Sequence, residues 1–178
     1  MNLHRRMRLV LGAACVLLMA GTLRAADQLN LWPDNSPELK GVDPKHIPTL
    51  ELYPGPEAAG KKPAVLICPA GGYKHHSDSS RNVKWLNGLG IAAYVVKYRL
   101  PVYGHKHPTP LHDAQRAVRI IRQNAEPWGL DAGKIGVIGG SSGGHVASTL
   151  ATHFDRAVLV HRLLRHIVIS LTHCSDCC

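Results

Sequence analysis

Residues 135–145 read Ile-Gly-Val-Ile-Gly-Gly-Ser-Ser-Gly-Gly-His, and this stretch decides the fold. Its first part, Ile135 to Ile138, is a short apolar run of the kind that forms a strand buried on both faces. The run enters Gly-x-Ser-x-Gly directly, and a helix is expected over 143–152. A serine raised on so sharp a strand-to-helix turn needs neighbours almost without side chains two positions before and two after. Two registers satisfy this, because Ser141 and Ser142 both have glycines at that spacing. Such a turn lifts the hydroxyl above the sheet and aims the next backbone N–H at a bound carbonyl oxygen. The helix N-terminus adds positive potential where negative charge would develop.

Outward from this motif the pattern is regular. Residues 64–68 (AVLIC) and 91–98 (IAAYVVKY) are further apolar runs that predict buried strands. Residues 83–89 predict the end of a helix stopped at Asn87-Gly88. Thr109-Pro110 predicts a helix start, a capping hydroxyl followed by proline at the first helical position. Ala114, Ala117, Val118 and Ile121 then form its apolar face, at i, i+3, i+4 and i+7. Residues 131–133 predict a turn into the 135–138 strand. Between 29 and 60, where Pro, Gly and Asp abound, only 49–53 predicts a strand. Strands alternating with helices in this way build a parallel sheet covered on both faces.

The 64–68 run ends in Pro69-Ala70-Gly71-Gly72-Tyr73. A glycine pair after a buried strand lets backbone N–H groups approach a ligand. Beside the serine turn, that pair predicts the second half of an oxyanion hole.

Length and composition narrow the function classes. The 178 residues allow one domain, and 45% hydrophobic with 19% charged residues is globular composition. With aromatics at 5%, a stacking platform for single-stranded nucleic acid is not expected. Residues 1–25 predict a secretory leader: Arg5, Arg6 and Arg8, then an apolar run over 9–20, then small residues near Ala25. That run is too short to span a bilayer. Removing the leader's four arginines lowers the formal charge from +9 to +5, with no long basic run left. The expectation is an exported protein, without nucleic-acid binding and without stable membrane insertion after the leader is removed. Cys68 lies in an apolar run and predicts a small core residue.

The chain resembles the α/β-hydrolase family, in particular bacterial exported esterases of the acetylxylan-esterase-like and feruloyl-esterase-like kind. IPTLELYPG, AVLICPAGGY, VKWLNGLGIAAYVVKYRLP, HPTPLHDAQRAVRIIRQNA and WGLDAGKIGVIGGSSGGHVASTLATHFD carry the resemblance, which covers about residues 29–155. It implies a doubly wound, mostly parallel sheet of α/β-hydrolase type. The family's elbow is similar to Gly-Phe-Ser-Ala-Gly-Gly-His, which selects Ser141 as nucleophile over Ser142. Gly71, Gly72 and the Ser142 amide would hold the oxyanion, although Ala70 replaces a usual glycine and 74–81 (KHHSDSSR) departs from the family's text. The implied activity is hydrolysis of carboxylic esters, small-molecule or polysaccharide, such as acetyl or feruloyl esters of xylan. No cofactor and no metal are implied.

A serine nucleophile needs a base to take its proton and an acid to orient that base. In this family both follow the serine on later strands, and each strand–helix unit takes roughly 30 residues. Residues 153–178 leave room for at most one unit. The expectation is therefore a sheet truncated after the elbow helix: 1–25 leader, 26–155 partial hydrolase domain, 156–178 atypical tail. The triad acid and base stay unassigned. His145 is expected to be structural, while His75 and His76 either line the pocket or are solvated. Within the tail, Val160, Leu163, Leu164 and Ile167 oppose His161, Arg162, Arg165 and His166 on a helical projection. A membrane-surface helix, a core-facing helix and a replacement strand all remain open there. Cys174-x-x-Cys177 without a second pair is a weak metal signal. The alternative to an esterase is a catalytically inactive fragment or a hydrolase-like binding module.

Overall fold

A computed structural model describes residues 27–152 and the backbone of 169–171. The predicted leader lies outside the described residues, as does the tail apart from 169–171. Six strands and three α-helices follow one another as β1 (Asp27–Asn30), β2 (Thr49–Tyr53), β3 (Lys62–Cys68), α1 (Ser80–Gly88), β4 (Ala92–Lys97), α2 (Thr109–Gln123), β5 (Leu130–Gly139), α3 (Ser141–Thr152) and β6 (Ile169–Leu171). They form one sheet in the order β1-β2-β4-β3-β5-β6. β1–β2 and β2–β4 pair antiparallel, whereas β4–β3, β3–β5 and β5–β6 pair parallel.

The apolar runs form central strands because successive side chains point to opposite faces and both faces are covered. Leu66, Tyr94, Val96 and Val137 join one buried cluster with Ala117, Ile121 and Leu150 from α2 and α3. Their chain neighbours Ile67, Ala93, Val95 and Ile138 join a second cluster, with Val83 and Leu86 from α1. Right-handed crossovers explain the division. The chain steps from β3 to β4 in one direction, then from β4 back across β3 to β5, so α1 and α2 land on opposite faces. That reversal between β3 and β5 is a topological switch point, and a crevice opens there at the strands' carboxyl ends. The loop carrying Gly71-Gly72 leaves β3 there, and Ser141 leaves β5 there.

Several boundaries differ from the sequence expectation. β1 was not expected; its four residues (DQLN) are all exposed and carry no alternation, and pairing with β2 alone defines it. With β1 and β2 antiparallel, the sheet is mixed. The turn expected at 131–133 is a bulge inside β5, where Lys62 pairs with Leu130 but Ala64 already pairs with Ile135. Asp131 Oδ1 accepts from the Gly133 amide at 2.9 Å and fixes that bulge. Thr109 is not the cap of α2: Pro108 occupies that position and no side chain caps the helix. α3 begins at Ser141, two residues earlier than expected. At 169–171 the tail adds β6 to the parallel part of the sheet, while residues 160–167, on which the three readings of the tail rest, lie outside the described residues.

An ionic cluster ties the front of the sheet to α2. Asp113 is fully buried and Arg99 is 4% exposed, and they pair at 2.7 Å. The carboxylate also accepts from Trp32 Nε1 at 2.8 Å and from the Arg99 amide at 2.9 Å. The guanidinium donates onward to the Glu38 carbonyl at 2.5 Å. Each charge therefore finds several partners, as buried charges must.

Candidate active site

Ser141 sits at the strand-to-helix corner with φ +50°, a conformation that L-residues seldom adopt. Two close approaches hold the corner. A Cβ on Gly139 would overlap the Gly143 backbone, and a Cβ on Gly143 would overlap the carbonyl oxygens of Cys68 and Pro69 at the end of β3. Both glycines are therefore required by packing, and they are the pair at −2 and +2 of Ser141.

Helix phase separates the two serines. Ser141 is exposed, whereas Ser142 is buried with its hydroxyl against that of Tyr98. Among the described residues the Ser141 hydroxyl has no hydrogen-bond partner. Ser142 lies in the first turn of α3, where a backbone N–H has no partner within the helix.

The loop after β3 packs against the same corner. Gly71 and Gly72 have φ +132° and +59°, and Tyr73 follows at +61°. The Gly71 carbonyl accepts from the Lys74 amide at 3.0 Å, and the Ala70 carbonyl accepts from the Ser77 amide at 2.9 Å. Among the described residues, the amides of Gly71 and Gly72 donate to no backbone carbonyl. Tyr98 OH donates to the Pro69 carbonyl at 2.7 Å and fixes the loop's root. The Tyr73 hydroxyl and His145 Nδ1 are 2.5 Å apart, so this loop and α3 are also joined across the crevice. His145 is thereby a strut between the two elements, in keeping with its expected structural part. A small apolar cavity of about 90 Å³ opens beside this pair, between Tyr73, Leu111, His145 and Val146. The sequence offered no sign of the contact, because its partners are 72 residues apart.

A larger cavity, about 600 Å³, lies further along the same sheet edge, between the ends of β2 and β4 and residues 74–76. His75 and His76 line it, His75 exposed and His76 half-buried, and neither Ser141 nor the glycine pair is in its wall. Burial and the neighbouring Lys97 charge push the His76 imidazole down to about 4. An unfolded histidine near 6.5 binds its proton first as pH falls, so the native state loses stability between pH 6.5 and 4. Each unit corresponds to about 1.4 kcal/mol. Because the ring is partly exposed, we expect about 1–2 kcal/mol of pH-dependent loss from this group. Urea melts of the native chain and His76→Asn at pH 7 and pH 4.5 measure it, and an equal loss in both would refute the assignment.

Among the described residues Cys68, at the end of β3, is the free cysteine; it is buried and its thiol is pushed up to about 12. Among the described residues no group of three or more His, Cys, Asp or Glu side chains could hold a metal ion. No helix among them is long and apolar enough to cross a membrane. Cys174 and Cys177 lie outside the described residues.

Comparison with known proteins agrees with this geometry. The chain is 37% identical over 92 residues to an acetylxylan esterase of Xylanibacter ruminicola, covering 50% of this chain and 19% of that protein. It is 33% identical over 131 residues to endo-1,4-beta-xylanase B of Butyrivibrio fibrisolvens, covering 71% of this chain and 20% of that protein. The solved acetyl ester-xyloside bifunctional hydrolase of Caldicellulosiruptor lactoaceticus superposes with TM-score 0.69 and 34% identity, covering 84% of this chain and 58% of that one. The chain thus spans a fifth of these two curated relatives and under two thirds of the solved neighbour. Its strand order, crossovers and serine corner are those of an α/β-hydrolase. The BD-FAE family model matches residues 50–166, well over half of the sequence, and the chain belongs to the BD-FAE family.

Proposed function

We infer that the protein is a carboxylic ester hydrolase in which Ser141 is the nucleophile. The observation that carries this reading is the exposed serine at φ +50°, wedged between glycines that no other residue could replace without overlap. The Ser141 oxygen adds to the ester carbonyl, and its proton passes to a base outside the described residues. The amides of Ser142, Gly71 and Gly72 receive the resulting oxyanion. Collapse expels the alcohol and leaves an acyl-serine, and water then adds and releases the carboxylic acid. The relatives named for acetylxylan and xylan support an acetyl ester of a plant polysaccharide as substrate, and a feruloyl ester is the other substrate that the family resemblance implies. The leader-like residues 1–25 support action outside the cytoplasm, which N-terminal sequencing of the secreted chain would test.

A second reading draws on one observation: among the described residues no base or acid is hydrogen-bonded to the Ser141 hydroxyl. On that reading the chain binds esters without turning them over. A fluorophosphonate probe and p-nitrophenyl acetate separate the two. We expect labelling of the native chain and of Ser142→Ala and none of Ser141→Ala, with hydrolysis of p-nitrophenyl acetate following the same pattern. Labelling lost only in Ser142→Ala would overturn the assignment. No labelling of a folded native chain would establish the non-catalytic alternative.

A further inference from the structure

Among the described residues, the wall of the 600 Å³ cavity contains no aspartate or glutamate, yet it contains Lys45, Lys74, Lys97 and Arg99. Two of these cations are already matched. Arg99 is held by Asp113, and Lys97 lies 3.5 Å from Glu51. Lys45 and Lys74 are exposed, and among the described residues neither has a carboxylate within ion-pair reach. The cavity therefore carries spare positive charge.

Its other walls do not suit a bare inorganic anion. His46 and Tyr103, both in its wall, stack on each other at 3.6 Å with their planes 13° apart, and Tyr103 is 48% exposed, which leaves the outer face of the pair open as a flat aromatic surface. Gln28, Asn30 and Thr49 supply neutral donors and acceptors in the same wall. His76 adds a nitrogen, Nε2, that is buried without a hydrogen-bond partner. The volume falls within the roughly 300–1,000 Å³ of small-molecule sites. A flat aromatic face, convergent amide and hydroxyl groups, and one or two unmatched cations together describe a receptor for an acidic sugar ring.

The cavity also adjoins the candidate active site. The His75 carbonyl lies against Gly71, so closely that no Cβ would fit between them. Residues 70–77 thus face the serine corner at one end and the cavity at the other. We propose that this cavity binds a uronate, an acidic sugar carried on the alcohol side of the ester, through Lys45 and Lys74 with the ring on the His46–Tyr103 face. This rests on the esterase reading for the link between sugar and ester, but the binding itself is independent of Ser141.

Calorimetric titration of the full chain with glucuronate, glucose and inorganic phosphate tests it. Glucuronate is expected to bind at least about tenfold more tightly than glucose, and more weakly at 0.5 M than at 0.05 M salt. A Lys45→Ala/Lys74→Ala chain should lose that preference, and Tyr103→Ala should weaken glucuronate while leaving phosphate unchanged. Glucuronate binding no better than glucose overturns the proposal, as does phosphate binding at least as tightly as glucuronate. Ser141→Ala must bind glucuronate like the native chain. If the fluorophosphonate test fails while glucuronate still binds, the esterase reading falls and the sugar site stands.

Discussion

Asp113→Ala is expected to destabilise the protein by about 3–5 kcal/mol, the scale for removing one partner of a buried ion pair. The carboxylate answers three donors at once: Trp32 Nε1, the Arg99 amide and the Arg99 guanidinium. Removing it leaves the guanidinium buried at 4% exposure with only the Glu38 contacts. At about 2–4 °C per kcal/mol for a chain of this size, the melting temperature should fall by roughly 6–20 °C. Asp113→Asn keeps the shape and part of the hydrogen bonding, so its loss should be smaller but of the same sign. A Tm unchanged in Asp113→Ala would show that water or another acid compensates Arg99. Arg99 follows β4 and Asp113 lies in α2, so this cluster is also what anchors α2 over the sheet.

The second large effect is expected for Gly143→Ala. Its methyl group would fall on the Cys68 and Pro69 carbonyl oxygens, backbone atoms that cannot swing aside. Either the loop after β3 moves away from α3 or the corner at Ser141 opens. Both displace the Gly71 and Gly72 amides from the serine. Fluorophosphonate labelling should slow at least about 100-fold, as when an oxyanion donor is removed. The overpacking should also cost about 1–3 kcal/mol in the melt, which reads the same clash if Ser141 proves unreactive. Gly88→Ala serves as control, since a Cβ there meets nothing within 4 Å. Native-like labelling and melting in Gly143→Ala would mean that the packing at the corner is looser than described.

Much of this arrangement was legible in the sequence because its causes are local. The apolar runs at 64–68 and 135–138 became β3 and part of β5, since strands buried on both faces need no polar alternation. The face Ala114, Ala117, Val118 and Ile121 is buried as its spacing implied. What stayed illegible depends on distant partners. β1 has no pattern of its own, and the Tyr73–His145 contact joins a loop and a helix that the sequence does not bring together. Ser141 and Ser142 are equivalent by glycine spacing, and only the start of α3 at Ser141 turns one outward and the other inward. The periodicity of α2 does not mark Asp113, whose partner Trp32 stands 81 residues away.

Cys68 gives the serine corner a chemical selectivity. With its thiol pushed up to about 12, the thiolate fraction at pH 7 is on the order of 10⁻⁵. Sulfur is the stronger nucleophile in open solution, yet here it is masked beneath the loop while oxygen stands free. A hard electrophile meeting this crevice finds oxygen only, and an alkylating reagent such as iodoacetamide should reach Cys68 only when β3 leaves the sheet. Its alkylation rate would therefore clock the opening of the sheet's centre.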